Sequence, residues 1–330
     1  MKTKTITTIM IMLFLVNMPN VIMVGATSTV ELIEWLPPLT KHEEFAFTDG
    51  STLPIKFRLL AAAGSFVMNP TVEVTVNSIL FSDSFDDGNY DGWSPLSLPP
   101  PGDISWSVTS TGVLYNDGSL YFPRILADST MLFTDYIFEA DARLLNGEGY
   151  ALLFRAEDHN KFYSFQYDPG LSPGNWLLRL YRFTDFTVWP PVGYDVADPV
   201  ACPVLTGYEQ WHHLKVQVVG THIRCYVDGI MVFDVTDTAA PLTGGVGFRT
   251  WAPAQAEFDN VVVLGVPEWE SFSYADETID VSESLYQCNL HTRELGMPAG
   301  DYMITVWLDG RSIQVGSHLF ELVEPGKGKA

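Results

Sequence analysis

Apolar and polar residues alternate in short runs along most of the chain. Ile55, Phe57 and Leu59 alternate with Lys56 and Arg58 behind Pro54, and Val72-Glu73-Val74-Thr75-Val76 repeats the pattern. A period of two is that of a half-buried strand, and proline is tolerated at a strand's start. The stretch from Phe81 to Val263 is the densest in such runs, among them Phe133–Arg143, Gly149–Arg155, Lys161–Tyr167, Trp176–Arg182, Trp211–Val219 and Glu257–Val263. About a dozen turn-separated strands fit a two-sheet jelly roll. The expected class is all-β.

The flanks are too short to close a sandwich separately. Two alternating strands precede residue 77, and Leu285–Leu290, Gly300–Leu308 and Ser317–Val323 supply three more after residue 280. A small sheet needs partners to bury its apolar face. The economical arrangement is one domain split in sequence, residues 27–80 and 266–325, with a second domain, 81–265, inserted in its loop and 326–330 as a tail.

Composition narrows the partners. With 18 Lys and Arg against 40 Asp and Glu, the net charge is −22, which disfavours nucleic acid and anionic membrane as partners. Lys2 and Lys4 precede an apolar stretch from Ile6 to Val24, and Val24-Gly25-Ala26 offers small residues for cleavage after Ala26. Residues 1–26 thus read as a secretory signal, with a retained anchor as the alternative, and the mature protein is expected outside the cytoplasm without membrane insertion. Cys202, Cys225 and Cys288 are an odd count, so at least one is free or pairs between chains; Cys202 and Cys225 lie in one expected domain.

Two resemblances sharpen the domain reading. Leu53-Pro54-Ile55-Lys56-Phe57, with Leu36-Pro37-Pro38-Leu39 before it and Tyr286, Leu290, Thr292 and Ala299-Gly300-Asp301-Tyr302 far behind, resembles the two halves of a PxKF Ig-like domain. Such a module implies a scaffold and no chemistry. Within the insert, Phe85-Asp86-Asp87-Gly88 with Trp93, Phe154-Arg155-Ala156-Glu157-Asp158, Trp211-His212-His213-Leu214, Val227-Asp228-Gly229, Gly245-Val246-Gly247-Phe248-Arg249 and Phe258-Asp259-Asn260-Val261 resemble the concanavalin A-like lectin/glucanase superfamily, nearest its laminin-G-like and 3-keto-disaccharide hydrolase-type domains. The resemblance implies a concanavalin A-like jelly roll inserted into a small Ig-like sandwich. One fold of this kind hosts sugar binding, glycoside cleavage and protein adhesion.

Candidate chemistry follows. Glycosidases use two carboxylates, and the laminarinase-type members of the superfamily place theirs as Glu-x-Asp-x-x-Glu on one strand. The nearest echo is Glu139-Ala140-Asp141, with Leu144 where the last acid would stand, so Glu139 and Asp141 are the catalytic candidates of an incomplete set. Arg155, Tyr163, Arg249 and Trp251 are candidates for a sugar site, because rings stack on pyranose faces and guanidinium donates directed hydrogen bonds. If Phe154 faces the core, alternation turns Arg155 to a concave outer surface; a structural partner for Glu139, Asp141 or Glu157 is the alternative. His212 and His213 are adjacent, which sends them to opposite faces and argues against a shared zinc. Asp87-Gly88-Asn89-Tyr90-Asp91-Gly92 has the oxygens of half an EF-hand loop but Leu98 at the position of its bidentate acid, and an Asx turn explains it equally. The superfamily resemblance implies a structural calcium joining the first loop to the last strand, through Asp83, Asp86 and Asp259.

The functional expectation is a secreted carbohydrate-binding protein whose partner is a glycan or polysaccharide. The alternatives are a glycoside-acting hydrolase of the 3-keto-disaccharide type and a surface or adhesion protein without a small ligand.

Overall fold

The computed structural model describes Val30 and residues 32–324, apart from 40–45, 49, 70, 99–104, 172–173, 252–253, 267, 269, 283, 310 and 312. The expected signal segment, 1–26, lies outside the described residues. No described helix is long and apolar enough to cross a membrane.

In chain order the strands are β1 (Leu32–Trp35), β2 (Ala46–Thr48), β3 (Thr52–Leu60), β4 (Glu73–Asp83), β5 (Trp93–Leu98), β6 (Trp106–Val108), β7 (Leu114–Asn116), β8 (Tyr121–Ala127), β9 (Tyr136–Asn146), β10 (Tyr150–Asp158), β11 (Lys161–Asp168) and β12 (Leu177–Asp185). They continue as β13 (Val192–Asp195), β14 (Val200–Ala201), β15 (Trp211–Val219), β16 (His222–Val227), β17 (Ile230–Thr236), β18 (Gly245–Thr250), β19 (Gln255–Gly265), β20 (Glu270–Ser273), β21 (Asp280–Ser282), β22 (Leu285–His291), β23 (Gly300–Leu308) and β24 (Ile313–Val323). The described chain is thus almost wholly β. Its described residues divide into two compact units, one within 80–263 and the other within 30–79 and 264–324.

In the flanking unit one sheet runs β1–β3–β22–β21, and the other contains β4, β23, β24 and β2 with β20 on β4. N-terminal strands therefore pair with C-terminal ones, Phe57 opposite Tyr286 and Val76 opposite Ile304. The alternation in β3 is realised: Leu53, Ile55, Phe57 and Leu59 are buried. They share a core with Val74, Val76, Tyr286, Ile304 and Val306. Tyr286 stacks on Phe57, and its hydroxyl donates to Val67 O.

The 80–263 unit is a two-sheet sandwich. Its eight-stranded sheet follows the path β13–β12–β11–β10–β18–β8–β5, with β14 paired to β12; its second sheet contains β17–β16–β15–β9–β19, with β7 on β19 and β6. Large rings fill the space between, among them Phe138, Tyr150, Phe154, Phe165, Phe248 and Phe258. Burying such rings dominates the stability of a domain this size. The β16–β17 hairpin shows how local sequence fixes register: Asp228 and Gly229 both have positive φ, as a two-residue type I′ loop demands. The three cysteines are all free, so Cys202 and Cys225 form no bridge; burial raises each thiol above its ordinary range.

Candidate functional site

Strand alternation lays out the outward face of the eight-stranded sheet in rows. Ile125, Phe248, Leu152, Phe165 and Leu180 stand opposite one another and point into the core. One residue along, the row on the other face reads Arg124, Arg249, Ala151, Gln166 and Arg179 across β8, β18, β10, β11 and β12. Its neighbour reads Leu126, Gly247, Leu153, Ser164 and Tyr181. Gly247 permits the close approach of β8 and β18, since a Cβ there would stand 2.1 Å from Ile125 O.

Arg124 and Arg249 are adjacent partners in this face and almost wholly buried, at 0% and 4% exposure. Rings hold their planar guanidinium groups. The Arg124 Cζ lies 4.2 Å from the Phe186 ring centre, and that of Arg249 lies 4.7 Å from Phe183 and 4.9 Å from Trp251. Arg124 Nη1 donates to Phe122 O, but Arg124 Nε and Nη2, Arg249 Nε and Nη1 and Ser164 Oγ are buried without a hydrogen-bond partner among the described residues. Burial, and then the charge of Arg124, pulls Arg249 down to about 9; burial pulls Arg124 down to about 10. Asp168 borders the same face. Burial raises its carboxyl, opposed by the Leu171 N–H and by the charges of Arg179 and Arg249. Exposed rings stand on the flanking segments, Tyr121 and Trp189 foremost, and Trp189 packs on Phe122 at 5.2 Å.

Of the four sugar-site residues expected from sequence, Arg249 and Trp251 lie on this face, and Arg155 and Tyr163 do not. The reason is a bulge. Pairing of β10 with both neighbours shifts register around Arg155, which takes φ +47°, so strict alternation ends there. The Arg155 side chain is 1% exposed, donates to Gly220 O and Leu242 O, and reaches Asp135 at 3.4 Å, while its backbone N–H donates to the Tyr136 hydroxyl. It clamps the end of the sandwich instead of facing a ligand, and its carboxylate partner is Asp135. Tyr163 is a core ring stacked on Phe154, whose hydroxyl donates to Asp237 at 2.6 Å. Both residues border a cleft of about 200 Å³ at the strand ends, shared with Glu157, Lys161, Phe162, Arg182, Phe183, Thr184 and Pro241. Phe183 thus stands between that cleft and Arg249. Trp176 packs on Tyr167 and Tyr208.

Glu139 and Asp141 share one outward face, as their spacing requires, but on the second sheet. His213 lies opposite Asp141 in β15 and joins the two acids, with Nδ1 2.8 Å from Asp141 and Nε2 3.3 Å from Glu139; Asn260 Nδ2 donates to the other Asp141 oxygen. Burial disfavours the imidazolium, yet the two carboxylates overcome it and hold His213 up at about 10. A carboxylate pair bridged by an imidazolium is engaged in ion pairs on one side of the sheet, not poised for acid and base roles on opposite sides of a bond. His212 turns the other way, into the core, with Nδ1 2.9 Å from Asp228. The adjacent histidines accordingly share no metal.

The calcium set implied by the superfamily is partly assembled. Burial, then the like charges of Asp141, Asp86 and Asp83, raises Asp259 to about 7, so these acids are electrostatic neighbours. At least one oxygen of each accepts a local hydrogen bond, however. Asp83 accepts from Phe85 N and Trp93 Nε1, Asp86 from the Ser84 hydroxyl, and Asp259 from Asn260 N. Among the described residues no three His, Cys, Asp or Glu side chains are placed to hold a metal ion. The residues as arranged do not fit a calcium. The Asp87–Gly92 loop is a pair of Asx turns, Asn89 N to Asp87 and Asp91 N to Asn89.

Similar structures include the carbohydrate-binding module CBM66 from Bacillus subtilis, 22% identical over 54% of this chain and 98% of that one, with a TM-score of 0.43. A β-glucanase from Bacillus licheniformis is 15% identical over 57% of this chain and 98% of that one, with a TM-score of 0.42. A Bacillus subtilis protein described as galectin-like in fold is 13% identical over 58% and 97%, with a TM-score of 0.44. No curated protein matches the chain. A family model matches residues 80–264, more than half of the chain and nearly the whole two-sheet unit that carries the arginine pair. The chain therefore belongs to the family of 3-keto-alpha-glucoside-1,2-lyase-like domains.

Proposed function

We propose that the 80–263 unit binds a saccharide on the outward face of its eight-stranded sheet and that the protein works outside the cytoplasm, after removal of residues 1–26. One observation carries the reading: buried guanidinium N–H groups without partners share a face with half-buried and exposed rings. Directed donors beside flat apolar rings are what a pyranose needs, because its hydroxyls accept hydrogen bonds while its axial C–H faces stack. The flanking unit serves as an Ig-like carrier and supplies no chemistry.

A glycan array on the mature chain, followed by calorimetric titration of the strongest hits, tests this. The expected result is saturable binding of at least one saccharide class. Absence of binding across a broad panel would favour a surface or adhesion protein without a small ligand.

A second reading, an enzyme acting on 3-keto-glycosides, is supported by the family and by Asp168, whose carboxyl burial raises beside Arg249 and Arg179 on the same face. A carboxyl moved toward neutrality suits proton transfer. Turnover of a 3-keto-glycoside that disappears in Asp168→Asn, with binding retained, would establish it over simple binding.

A further inference from the structure

Arginines elsewhere in the 80–263 unit are matched to acids: Arg143 to Glu257, Arg155 to Asp135, Arg179 to Asp195 and Arg224 to Asp234. Arg124 and Arg249 are the exceptions among its buried arginines. They adjoin each other, they are the deepest guanidinium groups on the face, and no carboxylate lies within ion-pairing distance among the described residues. This happens in a chain with 40 acidic residues and 18 basic ones, where an acidic partner is the easiest thing to supply. Two like charges placed side by side in a poorly solvated site repel, and each of their unmet N–H groups adds a desolvation penalty. A neutral hydroxyl satisfies a donor but leaves the repulsion in place. An anion does both, and the flat two-pronged edge of a guanidinium matches a carboxylate or sulfate.

We infer that the saccharide taken by this face carries an anionic group, a uronate carboxylate or a sulfate ester, which Arg124 and Arg249 hold through the Nε and Nη atoms that lack partners in the structure. The inference rests on the saccharide-binding reading above. Access runs beneath the β12–β13 connection. Phe186, fully buried, covers Arg124, and Phe183 covers Arg249, whereas Val188 and Trp189 at the same connection are 45% and 71% exposed. The two rings close the face over the guanidinium groups, so this connection is the segment that must move as the anion enters.

The test needs no variant. The whole mature chain is titrated with a tri-galacturonate, with its methyl ester, with a sulfated oligosaccharide and with the desulfated form of the latter. The proposal expects one free anion to bind at least about tenfold more tightly than its neutral counterpart, with affinity falling as salt is raised. Which pair shows the difference identifies carboxylate or sulfate as the source. Equal affinity for acid and ester and for sulfated and desulfated forms overturns the inference while the saccharide-binding reading stands; binding of none of the four, with none on the wider array, removes both. Arg249→Gln, with the fold checked by circular dichroism, is expected to abolish the preference, so that anion and neutral counterpart bind the variant with the same affinity. A variant that keeps the full preference for the anion also overturns the inference.

Discussion

On the outward face of the second sheet, His213 stands between Glu139 and Asp141 and joins both; on the outward face of the eight-stranded sheet, Arg124 and Arg249 stand beside each other and no described acid forms an ion pair with either. Both faces belong to one sandwich and follow the same alternation. The first has its imidazolium already paired with both acids, so a ligand arriving there must break ion pairs. The second holds like charges and unmet donors, so a ligand arriving there relieves what the fold leaves unfavourable. A cluster of titratable groups is therefore weaker grounds for a site than a cluster whose needs the protein does not meet.

The sharpest way to test that contrast starts with the residue that lies between the two faces. Arg155→Ala removes the buried guanidinium that holds Gly220 O and Leu242 O and reaches the part-exposed Asp135, and is expected to lower stability by about 2–3 kcal/mol, the range for losing hydrogen bonds from a charged group. Urea unfolding reads the change, and the saccharide affinity of the folded molecules should not move. A loss of affinity without a loss of stability would return Arg155 to the site.

Gly149→Ala addresses how the arginine face is built. Gly149 has φ +148°, and a Cβ there would lie 2.3 Å from the Trp251 ring and 2.4 Å from Tyr167 O. The expected cost is about 2 kcal/mol, as for overpacking, with weaker saccharide binding because Trp251 is displaced from beside Arg249. Unchanged binding would remove Trp251 from the account.

The pH dependence of stability separates the matched face from its acidic neighbour. His213 is raised from 6.5 to about 10, so its folded form holds a proton that the unfolded form releases first. Its contribution is complete below pH 6.5 and is lost as pH rises toward 10. Asp259 is raised from 3.8 to about 7, so the folded state also holds the extra proton there, and stability falls from pH 3.8 to 7. Each limb should amount to about 1–2 kcal/mol after allowance for solvent screening. His213→Gln should flatten the upper limb and Asp259→Asn the lower, both visible in melting temperature against pH. Added calcium offers a direct check on the acids around Asp259, whose arrangement predicts no shift in melting temperature. A rise that Asp259→Ala abolishes would mean that these carboxylates reorient around the ion.

The smallest expected effect is on binding. Glu139→Gln and Asp141→Asn should leave saccharide affinity within about twofold, because both acids are on the sheet opposite the arginine pair.

Much of the fold is legible in the chain, because alternation is local. It alone turns Ile55, Phe57 and Leu59 inward and sets His212 and His213 on opposite faces. Arg249 and Trp251 are legible as a pair because they lie two residues apart, Arg249 on β18 and Trp251 just past its end. Arg155 is misplaced by alternation because a bulge cannot be seen in spacing, and Tyr163 because an aromatic ring reads alike at a core and at a ligand. Arg124, Gln166, Asp168 and Arg179 escape a reading of the sequence altogether. Their signal is cross-strand: Arg124 becomes a site candidate only once register sets it opposite Arg249, Gln166 opposite Ala151 and Arg179 opposite Gln166, with Asp168 two residues along from Gln166 on the same face, and register is a property of pairs of strands. Arg124 has one usable local cue, an arginine between Phe122 and Ile125 on an otherwise apolar strand.

The most direct test of where saccharide binds is amide hydrogen exchange on the mature chain with and without the strongest array hit. The account predicts slower exchange in residues 121–127, 177–195 and 245–251, which carry or cover the arginine pair, and no slowing in 136–146 and 211–219. Protection confined to the latter two strands would place the ligand on the Glu139–His213–Asp141 face and contradict it.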